Sequence, residues 1–152
     1  MDEALAECQK ALRLDKDMPD AHRTLSTVLK AKGELDEAIK ECQVALRLKE
    51  DFAEAHNDLG NVLSDKGDED GAIVEYRKAI RLKNPYPEAH YNLAGSVRVK
   101  GRLDEAIGEY REAILQKPNY AKAYNDLGCA LDDKGQKEDC DGSDFGNATA
   151  RG

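Results

Sequence analysis

Bulky core-forming residues are scarce in this chain. Leu, Ile, Val and Phe together make up 29 of 152 residues, and the net charge is −8. By composition alone that borders on the disordered class. Proline is scarce as well, with only four residues, whereas disordered acidic segments are usually rich in it. No apolar run approaches the roughly 18 residues that a membrane span needs. Clusters of Lys and Arg are missing, which counts against a general binder of the phosphate backbone. Met1-Asp2-Glu3 runs directly into charge instead of into a signal segment. With four cysteines and no such segment, we expect reduced thiols and a cytoplasmic location. Neither Cys-x-x-Cys nor Cys-x-x-His spacing occurs, so the sequence offers no structural zinc site. A phosphate-cradling glycine loop, a nucleophile elbow and a His-Glu-x-x-His motif are also missing. We therefore expect no catalytic residues, no metal and no cofactor.

What the chain does have is alanine, 20 residues of it, the best helix former, and a strict internal period. Ala21-His22 recurs as Ala55-His56 and Ala89-His90, with Ala123-Tyr124 in the fourth place. The spacing is 34 each time. Leu25, Leu59, Leu93 and Leu127 keep it, as do Gly33, Gly67, Gly101 and Gly135, each preceded by lysine. So do Ala38, Ala72 and Ala106, and Ala45, Ala79 and Ala113. Within a period, Ala55, Leu59, Val62 and Leu63 lie on one face of a helix. Lys66-Gly67 supplies its C-terminal stop. Asp68, Glu69 and Asp70 then begin a second helix, whose expected stripe is Ala72, Ile73, Tyr76, Ala79, Ile80 and Leu82. Each period is a helix–turn–helix hairpin, and a chain of such hairpins buries its apolar faces only by stacking.

This pattern resembles the tetratricopeptide repeat (TPR) family. The resemblance rests on His56, Leu59-Gly60, Leu63, Gly67, Ala72, Tyr76 and Ala79 in one repeat. It rests also on His90, Leu93-Ala94, Val97, Gly101, Ala106, Tyr110, Ala113 and Pro118 in the next. A looser first copy has His22, Leu25-Ser26, Leu29, Gly33, Ala38, Cys42 and Ala45. The resemblance implies an all-α solenoid of antiparallel hairpins wound into a right-handed superhelix. In that frame, residues 1–18 are a helix B alone, full repeats occupy 19–52, 53–86 and 87–120, and 121–135 are a helix A alone. Residues 136–152 are polar and aperiodic, so we expect a disordered tail. Both solenoid ends then lack a polar cap. The expectation is a part of a longer array or a degraded gene copy; a complete chain would instead be expected to self-associate through its open ends.

The histidines stand one per repeat in the early aromatic position of helix A, where packing explains them better than metal ligation. Cys8 and Cys42 share the aromatic column of helix B and should be equivalent core thiols. Cys129 should be exposed.

In the family, helix A lines the concave face and reads an extended peptide. The resemblance therefore assigns a peptide-binding surface to Arg23, Thr27, Lys30, Asn57, Asp58, Asn61, Asp65, Tyr91, Asn92, Arg98, Lys122, Asn125, Asp126, Asp132 and Asp133. The outward positions of the four A helices carry +1, −3, 0 and −2, which is −4 in all. Asp58, Asp65, Asp126, Asp132 and Asp133 would complement a basic segment, and Asn57, Asn61, Asn92 and Asn125 would bond peptide backbone. Asn61, Asn92 and Lys122 stand at places used by the family's carboxylate clamp. Asn57 and Asp126 replace its basic residues, which argues against an acidic ligand. Among Thr24, Asp58, Asn92 and Asp126, only Asn92 fits the asparagine ladder of O-linked N-acetylglucosamine transferase arrays. The sequence thus points to a non-catalytic scaffold for an extended neutral or basic segment of a protein partner, without nucleic acid or membrane. The alternative is the TPR segment of a larger enzyme such as a glycosyltransferase of that type.

Overall fold

The computed structural model describes residues 1–140, and these form eight helices with no strand among them. They are α1 (Asp2–Leu14), α2 (Pro19–Ala31), α3 (Leu35–Leu48), α4 (Ala53–Asp65), α5 (Glu69–Leu82), α6 (Pro87–Val99), α7 (Leu103–Gln116) and α8 (Ala121–Cys140). Even-numbered helices are A helices and odd-numbered ones are B helices. Each helix packs on the next, and α2 also touches α4, as α4 does α6. The A helices therefore line the inner side of the stack.

The turns follow from their glycines. Gly33, Gly67 and Gly101 have φ of 82°, 90° and 75°, a left-handed conformation that a side chain would disfavour. The residue after each glycine donates its N–H back across the turn, as Glu34 does to the Leu29 carbonyl at 3.0 Å. Pro19 and Pro87 open α2 and α6, where a missing N–H costs nothing. Asp68 caps α5 by accepting from the Gly71 N–H at 2.9 Å.

Small residues set the packing within each hairpin. A Cβ built on Gly60 would lie 2.5 Å from a ring carbon of Tyr76, so this A–B contact closes only on glycine. The first repeat solves the same problem with a smaller pair. Ser26 and Cys42 are both fully buried, the Ser26 hydroxyl donates to the Ala38 carbonyl at 2.8 Å, and Cys42 Sγ lies 2.9 Å away. Burial pushes the Cys42 thiol up to about 11. The core then runs along the chain as Leu25, Leu29, Val62, Ile73, Tyr76, Leu93, Val97, Ile107 and Tyr110. Alanine and glycine thus take the place of the missing bulk.

Polar ties repeat with the period. His22, His56 and His90 each bring Nδ1 to 2.6 Å from a glutamate of the following helix B, Glu41, Glu75 and Glu109. His22 and His56 also set Nε2 against the carbonyls of Lys16 and Glu50, and Tyr124 donates to the Pro118 carbonyl in the same place. The histidines thus do more than pack, because they lock helix A to helix B and to the turn before it. A second ladder joins neighbouring repeats: Lys66 pairs with Asp36, Lys100 with Asp70 and Lys134 with Asp104.

Two expectations need correction. Cys8 is not equivalent to Cys42. It is only partly buried, and α1, which packs on α2, has no fully buried residue. Helix α8 does not stop at 135 but continues through Gly135 to Cys140. Gly135 is not among the glycines with positive φ. After it comes Gln136-Lys137-Glu138-Asp139, with no apolar stripe to reward a turn back onto α8. Residues 141–152, the rest of the expected tail, lie outside the described residues.

Candidate functional site

The A helices put most of the sequence-assigned residues on one surface, but in a state their identities did not disclose. They are bonded to one another across repeats, at a constant separation of 35 residues. Arg23 donates to Asp58 at 2.8 Å, Asn92 to Asn57 at 3.0 Å, Tyr91 to Asp126 at 2.7 Å and Arg98 to Asp133 at 2.7 Å. Lys30 lies 3.1 Å from Asp65 in the same ladder. The separation exceeds the period by one, so each residue meets the one that follows its own equivalent in the next repeat.

This pairing changes the electrostatics. Asp58, Asp65 and Asp133 are neutralised within the protein, so they are poorly placed to supply the charge complementarity expected of them. Burial pushes the Asp58 carboxyl up even against the Arg23 guanidinium, while Asp58 holds that guanidinium above its ordinary value although burial opposes it. Asp126 differs. Its donors are neutral, the Tyr91 hydroxyl and the Asn125 side-chain amide at 3.0 Å. Burial first, and Asp126 second, push the Tyr91 phenol up, so Tyr91 remains a proton donor in this bond. Asp132 accepts from Gln136 at 3.0 Å.

The other assigned residues divide by exposure. Asn57 is buried at 7% exposure and serves the ladder, not the surface. Asn61 accepts from the Tyr76 hydroxyl at 2.9 Å. Thr27 and the α8 residues Lys122, Asn125 and Asp132 are exposed. Between α4, α6 and α8 the surface sinks into a pocket of about 230 Å³ whose lining includes Asn61, Tyr76, Tyr91, Gly95, Tyr110 and Asp126. Tyr91 contacts Tyr110 and Tyr120 with ring centroids 5.8 and 5.1 Å away.

Sequence reasoning missed one column. Phe52, Tyr86 and Tyr120 stand just before α4, α6 and α8, each under a lysine, Lys49, Lys83 and Lys117, at 4.7, 4.6 and 4.5 Å from the ring centre. Their spacing of 34 was visible in the sequence, but aromatics outside a helical stripe do not register in a search for apolar faces. Among the described residues no group of His, Cys, Asp and Glu could hold a metal ion. No helix among them is long and apolar enough to cross a membrane.

Comparison with known proteins agrees with this architecture. The crystal structure of MamA superposes with a TM-score of 0.79 at 28% identity, covering 88% of this chain and 78% of MamA. YrrB, described as a TPR protein with an unusual peptide-binding site, gives 0.72 at 27% identity, covering 90% of this chain and 71% of YrrB. The O-GlcNAc transferase of Thermobaculum terrenum gives 0.71 at 24% identity. That match covers 74% of this chain but only 22% of the enzyme, and the likeness is one of fold alone. No curated protein matches the sequence. The family model of the TPR repeat matches residues 27–67, 60–95 and 98–135. With the 34-residue period, the hairpin stack and these matches, the chain belongs to the tetratricopeptide repeat family.

Proposed function

We propose that this TPR array is a non-catalytic scaffold that holds an extended neutral or basic segment of a protein partner along its A-helix surface. The observation that carries the reading is the pocketed polar surface around Asp126, a carboxylate bonded to neutral donors, flanked by Asn61, Asn92 and Asn125. Extended segments expose backbone N–H and C=O groups, and side-chain amides satisfy both kinds. YrrB, with its peptide-binding site, supports the reading by likeness. The internal pairing of Asp58, Asp65 and Asp133 narrows the acidic contribution to Asp126 and Asp132.

Peptide display against the whole chain, followed by fluorescence anisotropy of the selected peptides, tests this. The expected ligands are neutral or basic, bind more weakly as salt rises, and lose about tenfold in affinity to Asp126→Lys. Acidic ligands, or ligands indifferent to both Asp126→Lys and Asn92→Ala, would refute it.

A further inference from the structure

The pocket between α4, α6 and α8 carries a sharper assignment, one that rests on the groove reading above. We propose that it receives an arginine side chain of the bound segment.

Size comes first. At about 230 Å³ the pocket falls below the roughly 300–1,000 Å³ of small-molecule sites, which suits one side chain and not a free cofactor. Next comes the way the space is made. The column that holds Thr27, Asn61 and Cys129 in the other A helices has Gly95 here. A Cβ on Gly95 would meet nothing within 4 Å, and Gly95 is not among the positive-φ glycines. Neither packing nor backbone conformation calls for glycine at this point, in mid-helix, where it is disfavoured. Its effect is to leave the pocket open beside Tyr91 and Tyr110.

Chemistry then selects the occupant. Asp126 uses one oxygen to accept from Tyr91 and the other to accept from Asn125. A carboxylate offers about four lone-pair sites, so roughly two remain, enough for a guanidinium fork. Lys30 also borders the pocket, but its ammonium lies 3.1 Å from Asp65, and these three charged groups sum to −1. An acidic side chain would meet Asp126 with like charge. An apolar one would cover the remaining lone pairs of Asp126 without offering them a donor. Lysine could satisfy the charge but not the planar fork, and a guanidinium also lies well against the tyrosine rings.

The test uses the full chain and N-acetyl-arginine amide as probe, followed by ¹H–¹⁵N correlation spectra. Saturable shifts are expected at the Gly95 backbone N–H and the side-chain amides of Asn61 and Asn92. The citrulline analogue, of the same shape without charge, should bind at least tenfold more weakly. Asp126→Asn should lose at least tenfold, and Gly95→Leu should abolish the shifts while leaving the helical circular dichroism unchanged. Should Gly95→Leu disturb the fold, Gly95→Ala is the milder probe, expected to keep the fold and weaken binding. No saturable shift, equal binding of citrulline, or indifference to Asp126→Asn would overturn the proposal. The two readings fail differently. Display-selected peptides that bind the groove without arginine and ignore Gly95→Leu would sink the pocket assignment and leave the scaffold standing. Arginine-amide binding in a chain that selects no peptide would overturn the scaffold, and with it the assignment of the arginine to a bound segment.

Discussion

Two glycines on successive A helices should respond in opposite ways to the same substitution. Gly95→Ala adds a methyl group that meets nothing within 4 Å, so only helix propensity changes, a gain of about 1 kcal/mol. Gly60→Ala gains the same propensity but drives its Cβ to 2.5, 2.7 and 3.0 Å from ring atoms of Tyr76. That ring cannot move aside cheaply, because Tyr76 is 3% exposed and its hydroxyl is held by Asn61 at 2.9 Å. Overpacking of this kind costs about 1–3 kcal/mol, and that term alone separates the two variants. Gly95→Ala should raise the melting temperature by about 2–4 °C, and Gly60→Ala should leave it level or lower it. The third repeat carries Ala94-Gly95 where the second has Gly60-Asn61. Releasing Tyr76 with Asn61→Gly should therefore recover part of the loss in a Gly60→Ala background. Thermal and urea unfolding followed by circular dichroism measure all four chains. If Gly60→Ala stabilised as much as Gly95→Ala, the close approach of α4 and α5 would not be what glycine serves.

Other outcomes follow from the same geometry. Arg23→Ala should destabilise by about 1–2 kcal/mol in urea titration, because it strips a part-buried Asp58 of its donor. A double-mutant cycle with Asp58→Asn should recover most of that loss. Site-resolved alkylation should modify exposed Cys129 well before Cys42, whose buried thiol sits near 11. Alkylation of Cys42 first would contradict the packing against Ser26. For Glu75, burial acts upward, but hydrogen bonds from His56 and Lys78 prevail and hold the carboxyl below its ordinary 4.5. A depressed carboxylate stabilises the fold above its unfolded value and loses that contribution as pH falls through the folded one. The urea midpoint should thus decline on acidification below about pH 4.5, less steeply in Glu75→Gln.

The hairpin stack was legible in the sequence because it depends on local quantities. Helical spacing of Leu and Ala, a Lys-Gly stop and a first-turn acid each act within a few residues, and a strict period multiplies them. The surface was legible only in outline. Arg23, Asp58, Arg98 and Asp133 stand at outward positions of the helical frame, yet their pairing depends on how adjacent A helices meet, which no single repeat encodes. Gly95 carries no helical or apolar signal, and the open space beside it belongs to the packed fold. Phe52, Tyr86 and Tyr120 kept the period, but their role under Lys49, Lys83 and Lys117 needs the geometry of the turn. Cys8 shows the reverse, since its column predicts burial while the packing of α1 on α2 leaves it only partly covered.

The ladder of contacts spaced 35 residues apart makes the inner surface the tension member of a spring. Stretching or unwinding the solenoid must lengthen Arg23–Asp58, Tyr91–Asp126 and Arg98–Asp133, so these rungs resist deformation. A side chain seated on the lone pairs that Asp126 keeps free would share its carboxylate with one of these rungs. Occupancy and elasticity are then two readings of one set of bonds, and a force applied to the ends of the array is felt where a partner would sit.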